Sequence, residues 1–171
     1  MTTYAFIDSQ NLNLGVSRNI VTKSGKVLYK GRKLDFKKFH DYLRTKYNVS
    51  KAYLFIGKIP GNEPLYNKLK SFGYELVLKE TSAYLGSKGE WIVKGNVDTD
   101  IVLYSAHILA NEYDKAIFVS GDGDFVSLYD SLDSEDKLER ILVPNRHSYS
   151  KLLKKYRAKI TFVSALNNMT K

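Results

Sequence analysis

Apolar positions along this chain fall into two alternating kinds of stretch. Residues 4–7, 52–56, 75–79, 116–119, 138–143 and 160–163 have the length and composition of buried strands, bounded by Gly, Pro, Asn or Asp. Between them the apolar residues recur at helical spacing. Phe36, Phe39, Tyr42, Leu43 and Tyr47 follow Asp35, a good N-cap, and stop near Asn48. Leu65, Tyr66 and Leu69 mark a helix over 63–72 with Gly73 as its left-handed stop, and Val126, Leu128, Tyr129 and Leu132 mark another after Phe125. Ile101, Val102, Leu103, Ile108 and Leu109 predict a helix after Asp98 and Asp100. A basic helix carrying Lys151, Lys154, Lys155 and Arg157 is capped by Ser148 or Ser150. Two segments read as hairpins: 20–29 around Ser24 and Gly25, and 81–95 around Gly86, Ser87, Lys88 and Gly89. Strands that alternate with helices predict an α/β fold, a mostly parallel central sheet with helices on both faces and these hairpins inserted. The 171 residues contain no linker, repeat or low-complexity tract, so one domain over 1–171 is expected.

The chemistry gathers where the strands stop. Residues 4–7 run straight into Asp8, followed by Ser9, Gln10 and Asn11; residues 116–119 run into Ser120, Gly121, Asp122, Gly123 and Asp124. A charge directly after a fully apolar strand is costly without a partner. Gly121 and Gly123, through positive φ or close backbone approach, would crowd Asp122 against Asp124, and two such carboxylates repel unless a cation or proton intervenes. Turn formation alone would also explain this Asp-Gly block, so other carboxylates decide between the readings. Asp98 and Asp100 open a helix but stand two positions apart and face opposite ways; Asp98, next to the turn, is the one expected to join. Ligands of parallel sheets bind beyond the carboxyl ends of the strands, where these carboxylates can meet. Asn11 either caps the following element or orients Asp8 or a metal-bound water.

Charge and composition narrow the partners. Lys and Arg number 27 against 18 Asp and Glu, a formal charge of +9, so polyanions are favoured. The loop Lys30, Gly31, Arg32, Lys33 could track phosphates, and Lys94, Arg146 and His147 could contact them near the acidic residues. Tyr84 and Trp91 either stack on bases or pack against the sheet. With no cysteine and three scattered histidines, disulfides, thiolate sites and zinc are disfavoured, as is a covalent Cys or Ser-His-Asp mechanism. No leader or membrane span is read, so a soluble cytoplasmic protein is expected.

Three blocks taken together, Phe6-Ile7-Asp8-Ser9-Gln10-Asn11, Lys94-Gly95-Asn96-Val97-Asp98 and Val119-Ser120-Gly121-Asp122-Gly123-Asp124-Phe125, resemble the NYN branch of the PIN-like nucleases, specifically its LabA-like group. The resemblance runs from about residue 4 to 163. It implies a PIN-like three-layer sandwich whose acidic pocket binds Mg2+ or Mn2+ and, in active members, hydrolyses RNA phosphodiesters. Carried over by motif, Asp8, Asp98, Asp122 and Asp124 are the metal-binding and catalytic set, with Asn11 and Ser120 in support. On their charge, not by motif, Lys94, Arg146, His147, Lys151, Lys154 and Lys155 are the candidate nucleic-acid contacts, the alternative being ordinary solvated side chains. A catalytically silent nucleic-acid-binding or protein-interaction module of the same fold is the alternative. A phosphatase of the haloacid dehalogenase type is disfavoured, because Gln10 stands where its first motif needs a second carboxylate.

Overall fold

The structure, a computed structural model, describes residues 1–89, 91–94, 96–166 and 168–170, with backbone alone for 83, 84 and 91–94. In chain order the strands are β1 (Thr3–Asp8), β2 (Ile20–Val21), β3 (Val27–Tyr29), β4 (Val49–Lys58), β5 (Tyr74–Glu80), β6 (Ser82–Leu85), β7 (Trp91–Lys94), β8 (Lys115–Val119), β9 (Leu138–Val143) and β10 (Ile160–Phe162). The helices are α1 (Ser9–Ser17), α2 (Phe36–Tyr47), α3 (Glu63–Ser71), α4 (Asp98–Leu103) and α5 (Val126–Ser134). Six strands form one sheet in the order β10-β9-β8-β1-β4-β5, and every pairing in it is parallel. Outside that sheet β2 pairs with β3 and β6 with β7, both antiparallel, in the two segments read as hairpins.

Period-two alternation divides the core. Phe6, Phe55 and Phe118 pack with Ile101, Leu128 and Tyr129 on one face. Ile7, Leu54 and Val119 pack with Leu12, Phe39, Leu43 and Leu69 on the other. Thus α1, α2 and α3 cover one face while α4 and α5 cover the opposite one, the layered arrangement that α/β alternation dictates. Every residue of β1 is buried. Each large apolar side chain so buried stabilises the fold by roughly 1.5–3 kcal/mol. A one-residue slip would move them all to the wrong face, which pins Asp8 to the strand's carboxyl end.

Three sequence expectations are corrected. β4 does not close at Gly57 but runs to Lys58, because its ladder with β5 continues through Gly57 and Lys58 opposite Lys79 and Glu80. α4 stops at Leu103 and gives way to a π-turn, Tyr104–Ile108. The wider turn shifts the helical phase beyond it, so Leu109 rather than Ile108 joins Ile101 in the core, while Val102 and Leu103, on other sides of α4 from Ile101, face solvent. The basic segment Lys151–Lys159 is 3-10 helix, broken at Tyr156, rather than α-helix; Leu153 and Tyr156, three apart, are its buried residues. Ser150, not Ser148, caps it, its Oγ accepting the Leu152 N–H. The short turn ahead of α5, Gly123–Phe125, is likewise 3-10. Among the described residues no helix is long and apolar enough to cross a membrane.

Candidate metal centre

The sheet order places a topological switch between its two central strands. From β1 the chain builds outward through β4 and β5, then returns to the other side of β1 for β8, β9 and β10. The connections therefore diverge above the carboxyl ends of β1 and β8, leaving a crevice there. Register pairs Ile7 with Val119, so Asp8 and Ser120 emerge side by side.

Short polar contacts shape the turns beyond these two strands. Asp8 caps α1, its Oδ1 accepting the Asn11 N–H at 3.0 Å. The Asn11 Oδ1 accepts the Gly121 N–H at 2.8 Å, fastening α1 to the loop after β8. Asn11 thus holds Asp8 through its backbone N–H, while its side chain, instead of capping α1, fastens the loop after β8. Ser120 Oγ accepts the Asp122 N–H, and Asp122 Oδ1 accepts the Asp124 N–H at 2.9 Å, so each residue turns the backbone for the next. Gly123 serves close approach: a Cβ there would lie 2.9 Å from the Ser150 Cβ. The Ser150 N–H in turn donates to the Gly121 carbonyl.

Asp98 arrives from the first turn of α4, where its N–H donates to Asn96 Oδ1 at 2.8 Å. One carboxylate oxygen from each of Asp98, Asp122 and Asp124 lies within 4.8 Å of the other two. Asp100 points elsewhere and pairs with Lys79 at 2.8 Å. Asp8, grouped with the three by sequence, is not a fourth member of that tight set, since its carboxylate is turned to the start of α1.

Electrostatics ties Asp8 to the cluster nonetheless. Burial first, then the charges of Asp98 and Asp122, push its carboxyl up to about 6, against the Asn11 hydrogen bond that lowers it. Burial also raises Asp98, with repulsion from Asp122 and Asp124 opposed by Asn96. The neighbouring cations engage other carboxylates, Lys79 pairing with Asp100 and Lys155 with Asp130. Near the four aspartates lies Tyr129, fully buried, whose hydroxyl has no hydrogen-bond partner among the described residues. Burial holds its phenol well above the ordinary range, and Asp8 and Asp122 are the foremost charges acting on it. Helical periodicity marked Tyr129 as core and gave no signal for its hydroxyl.

This donor set suits a hard divalent cation. Oxygens bound at 2.0–2.1 Å in octahedral geometry lie about 3–4 Å apart, so only a small closure separates the observed carboxylates from a Mg2+ or Mn2+ shell. The positive candidates surround the site unevenly. Arg146 and His147 are exposed in the loop after β9, Arg146 over the Phe162 ring and the His147 N–H donating to Asn145 Oδ1. Asn145 itself is fully buried and donates to the Gly15 carbonyl, holding that loop to α1. Lys151 and Lys154 are exposed and free of carboxylates, whereas Lys155 is engaged by Asp130. The side chains of Lys94, Tyr84 and Trp91 lie outside the described residues.

Residues 2–164 match the family model of the NYN domain. No protein of curated function matches the chain. A crystal structure of a protein of unknown function from Vibrio parahaemolyticus is similar in fold, with 23% sequence identity and a TM-score of 0.63 over 95% of this chain and 92% of that one.

Proposed function

The chain belongs to the NYN domain family, within the PIN-like superfamily, and from that premise we propose that it is a metal-dependent ribonuclease. NYN domains are generally nucleases that depend on divalent metal, so a nuclease-like function is the coarse reading and RNA hydrolysis at this crevice the finer one. The observation that carries it is the convergence of Asp98, Asp122 and Asp124 at the switch point, in a chain of net charge +9. These three hold the cation. When bound, a Mg2+ or Mn2+ ion would supply positive charge against the charge developing on the phosphate and lower the pKa of a bound water.

The chain's own residues divide the remaining tasks. Asp8, pushed up to about 6, is ionised at neutral pH yet basic enough for its carboxylate to take the proton of the attacking water as the phosphorus–oxygen ester bond breaks. Ser120 and Asn11 hold the loop that presents Asp122 and Asp124. The Tyr129 hydroxyl, buried without a hydrogen-bond partner among the described residues, feels the charges of Asp8 and Asp122. Arg146, His147, Lys151 and Lys154 are exposed for phosphate contacts; Lys155 serves less directly while Asp130 holds it.

The test is cleavage of labelled single-stranded RNA with Mg2+ or Mn2+ and with chelator. Wild type should cleave only with metal, and Asp122→Asn should lower the rate about a hundredfold or more, the several kcal/mol such a ligand set supplies. Cleavage that continues in chelator would contradict the reading; binding without cleavage would leave the chain a silent member of its family.

A further inference from the structure

Beside the acidic cluster, the carboxyl end of β4 opens into a cavity of about 540 Å³. Its size is that of a small-ligand site, about 300–1,000 Å³. Ser9 and Val97, the immediate neighbours of Asp8 and Asp98, form the wall it shares with the cluster. Phe36, Phe72 and Leu65 supply apolar surface, while Gln10 and Asn13 offer side-chain amides. Lys33 and Lys68 also line it, both exposed and neither paired with a carboxylate among the described residues.

Lys33 is also the end of a wider feature. From residue 9 to 34 the chain has no Asp or Glu but carries Arg18, Lys23, Lys26, Lys30, Arg32 and Lys33. All six are exposed, none forms an ion pair among the described residues, and the β2–β3 hairpin lies within this segment. A cationic arm thus leads into an apolar, amide-edged cavity that adjoins a cluster suited to a phosphate-bound cation.

One ligand combines what these surfaces require: a flat apolar ring with hydrogen-bonding edges, joined to a phosphate and continuing as a polyanion. We propose that the cavity is a base subsite, taking one unstacked nucleobase next to the phosphate held at Asp98, Asp122 and Asp124, while the single strand continues over the β2–β3 arm from Lys33 outward. The inference rests on the nuclease reading and deepens it, because a base that must leave its stack selects unpaired RNA over duplex.

Fluorescence anisotropy in chelator, where metal-dependent cleavage is off, separates base from backbone. The probes are labelled hexauridylate and a ribose-phosphate hexamer without bases, equal in charge. Wild type should bind the base-bearing strand about tenfold more tightly, the scale of one stacked base. Leu65→Trp, at a 44% exposed position on the cavity wall, should cut that ratio below about twofold without changing affinity for the baseless strand. Replacing Lys26, Lys30 and Lys33 by Gln should weaken both probes alike. Equal binding of both probes by wild type overturns the base subsite, as does a ratio unchanged in Leu65→Trp. The wild-type comparison needs no variant to fold. RNA cleavage without base discrimination sinks this inference alone; discrimination without cleavage sinks the nuclease reading and leaves the subsite standing.

Discussion

Asp8 is the residue at which burial and chemistry oppose each other. Its carboxyl is pushed up to about 6 in the folded chain, against about 3.9 when unfolded. A raised pKa means that protonated Asp8 contributes stability in full below about pH 4, and that this contribution is lost as pH rises through about 6. The metal-free protein should therefore lose on the order of 3 kcal/mol from this residue between pH 4 and pH 7. Asp8→Asn should remove that slope, which urea unfolding across the range would measure; an unchanged slope would place the burden elsewhere. Tyr129→Phe deletes only the partnerless hydroxyl. A buried unsatisfied group costs about 1–3 kcal/mol, so the metal-free variant should be at least as stable as wild type, and destabilisation on melting would mean the hydroxyl has a protein partner. Asp8 stood out in sequence as a charge after an apolar run, Asp122 and Asp124 by their Gly-flanked turn, and Asp98 by its place at a helix start and by the family motif; the structure clusters the last three. Tyr129 did not stand out, since periodicity reports that a ring is buried and says nothing of where its oxygen points.

At the scale of elements, two strand ends and the turns after them do the positioning. The loop from Ser120 to Asp124 is fixed by its own hydrogen bonds and by the approach of Ser150 to Gly123. Gly123→Ala should force that contact apart and cost about 1–3 kcal/mol in chemical denaturation, as overpacking does. A neutral result would show that the 3-10 segment can slide away. The parallel strands, the hairpins and the helices α2, α3 and α5 followed from periodicity and caps. The path after Asp98 did not: a π-turn inserts a residue without a local sequence mark, so Ile108 was assigned to the core place that Leu109 takes, while Val102 and Leu103, adjacent to Ile101 in sequence, cannot share its side of a helix. Likewise, the 3-10 geometry of 151–159 depends on how Leu153 and Tyr156 meet the sheet, a tertiary fact.

For the whole molecule, the parallel sheet brings residues 8, 98, 122 and 124 to one edge, and a net charge of +9 surrounds them. Binding of single-stranded RNA should weaken steeply with salt. Neutralising Lys23, Lys26 and Lys30 together should flatten the log–log slope by about 2, at ~0.7 per lost phosphate contact. Neutralising Lys155 alone should change it little, because Asp130 already holds that charge; the reverse pattern would move the docking surface to the 151–159 segment. The most direct test of the central claim is the melting of wild type and Asp122→Asn in chelator and in Mg2+ or Mn2+. If Asp98, Asp122 and Asp124 hold a cation, wild type should gain about 2.7 kcal/mol when free metal stands a hundredfold above its dissociation constant. Asp122→Asn should match or exceed wild type without metal, because one repelling charge is gone, and should gain far less with it. A wild type indifferent to metal, together with a variant destabilised in both conditions, would contradict the account and leave these aspartates as turn-formers.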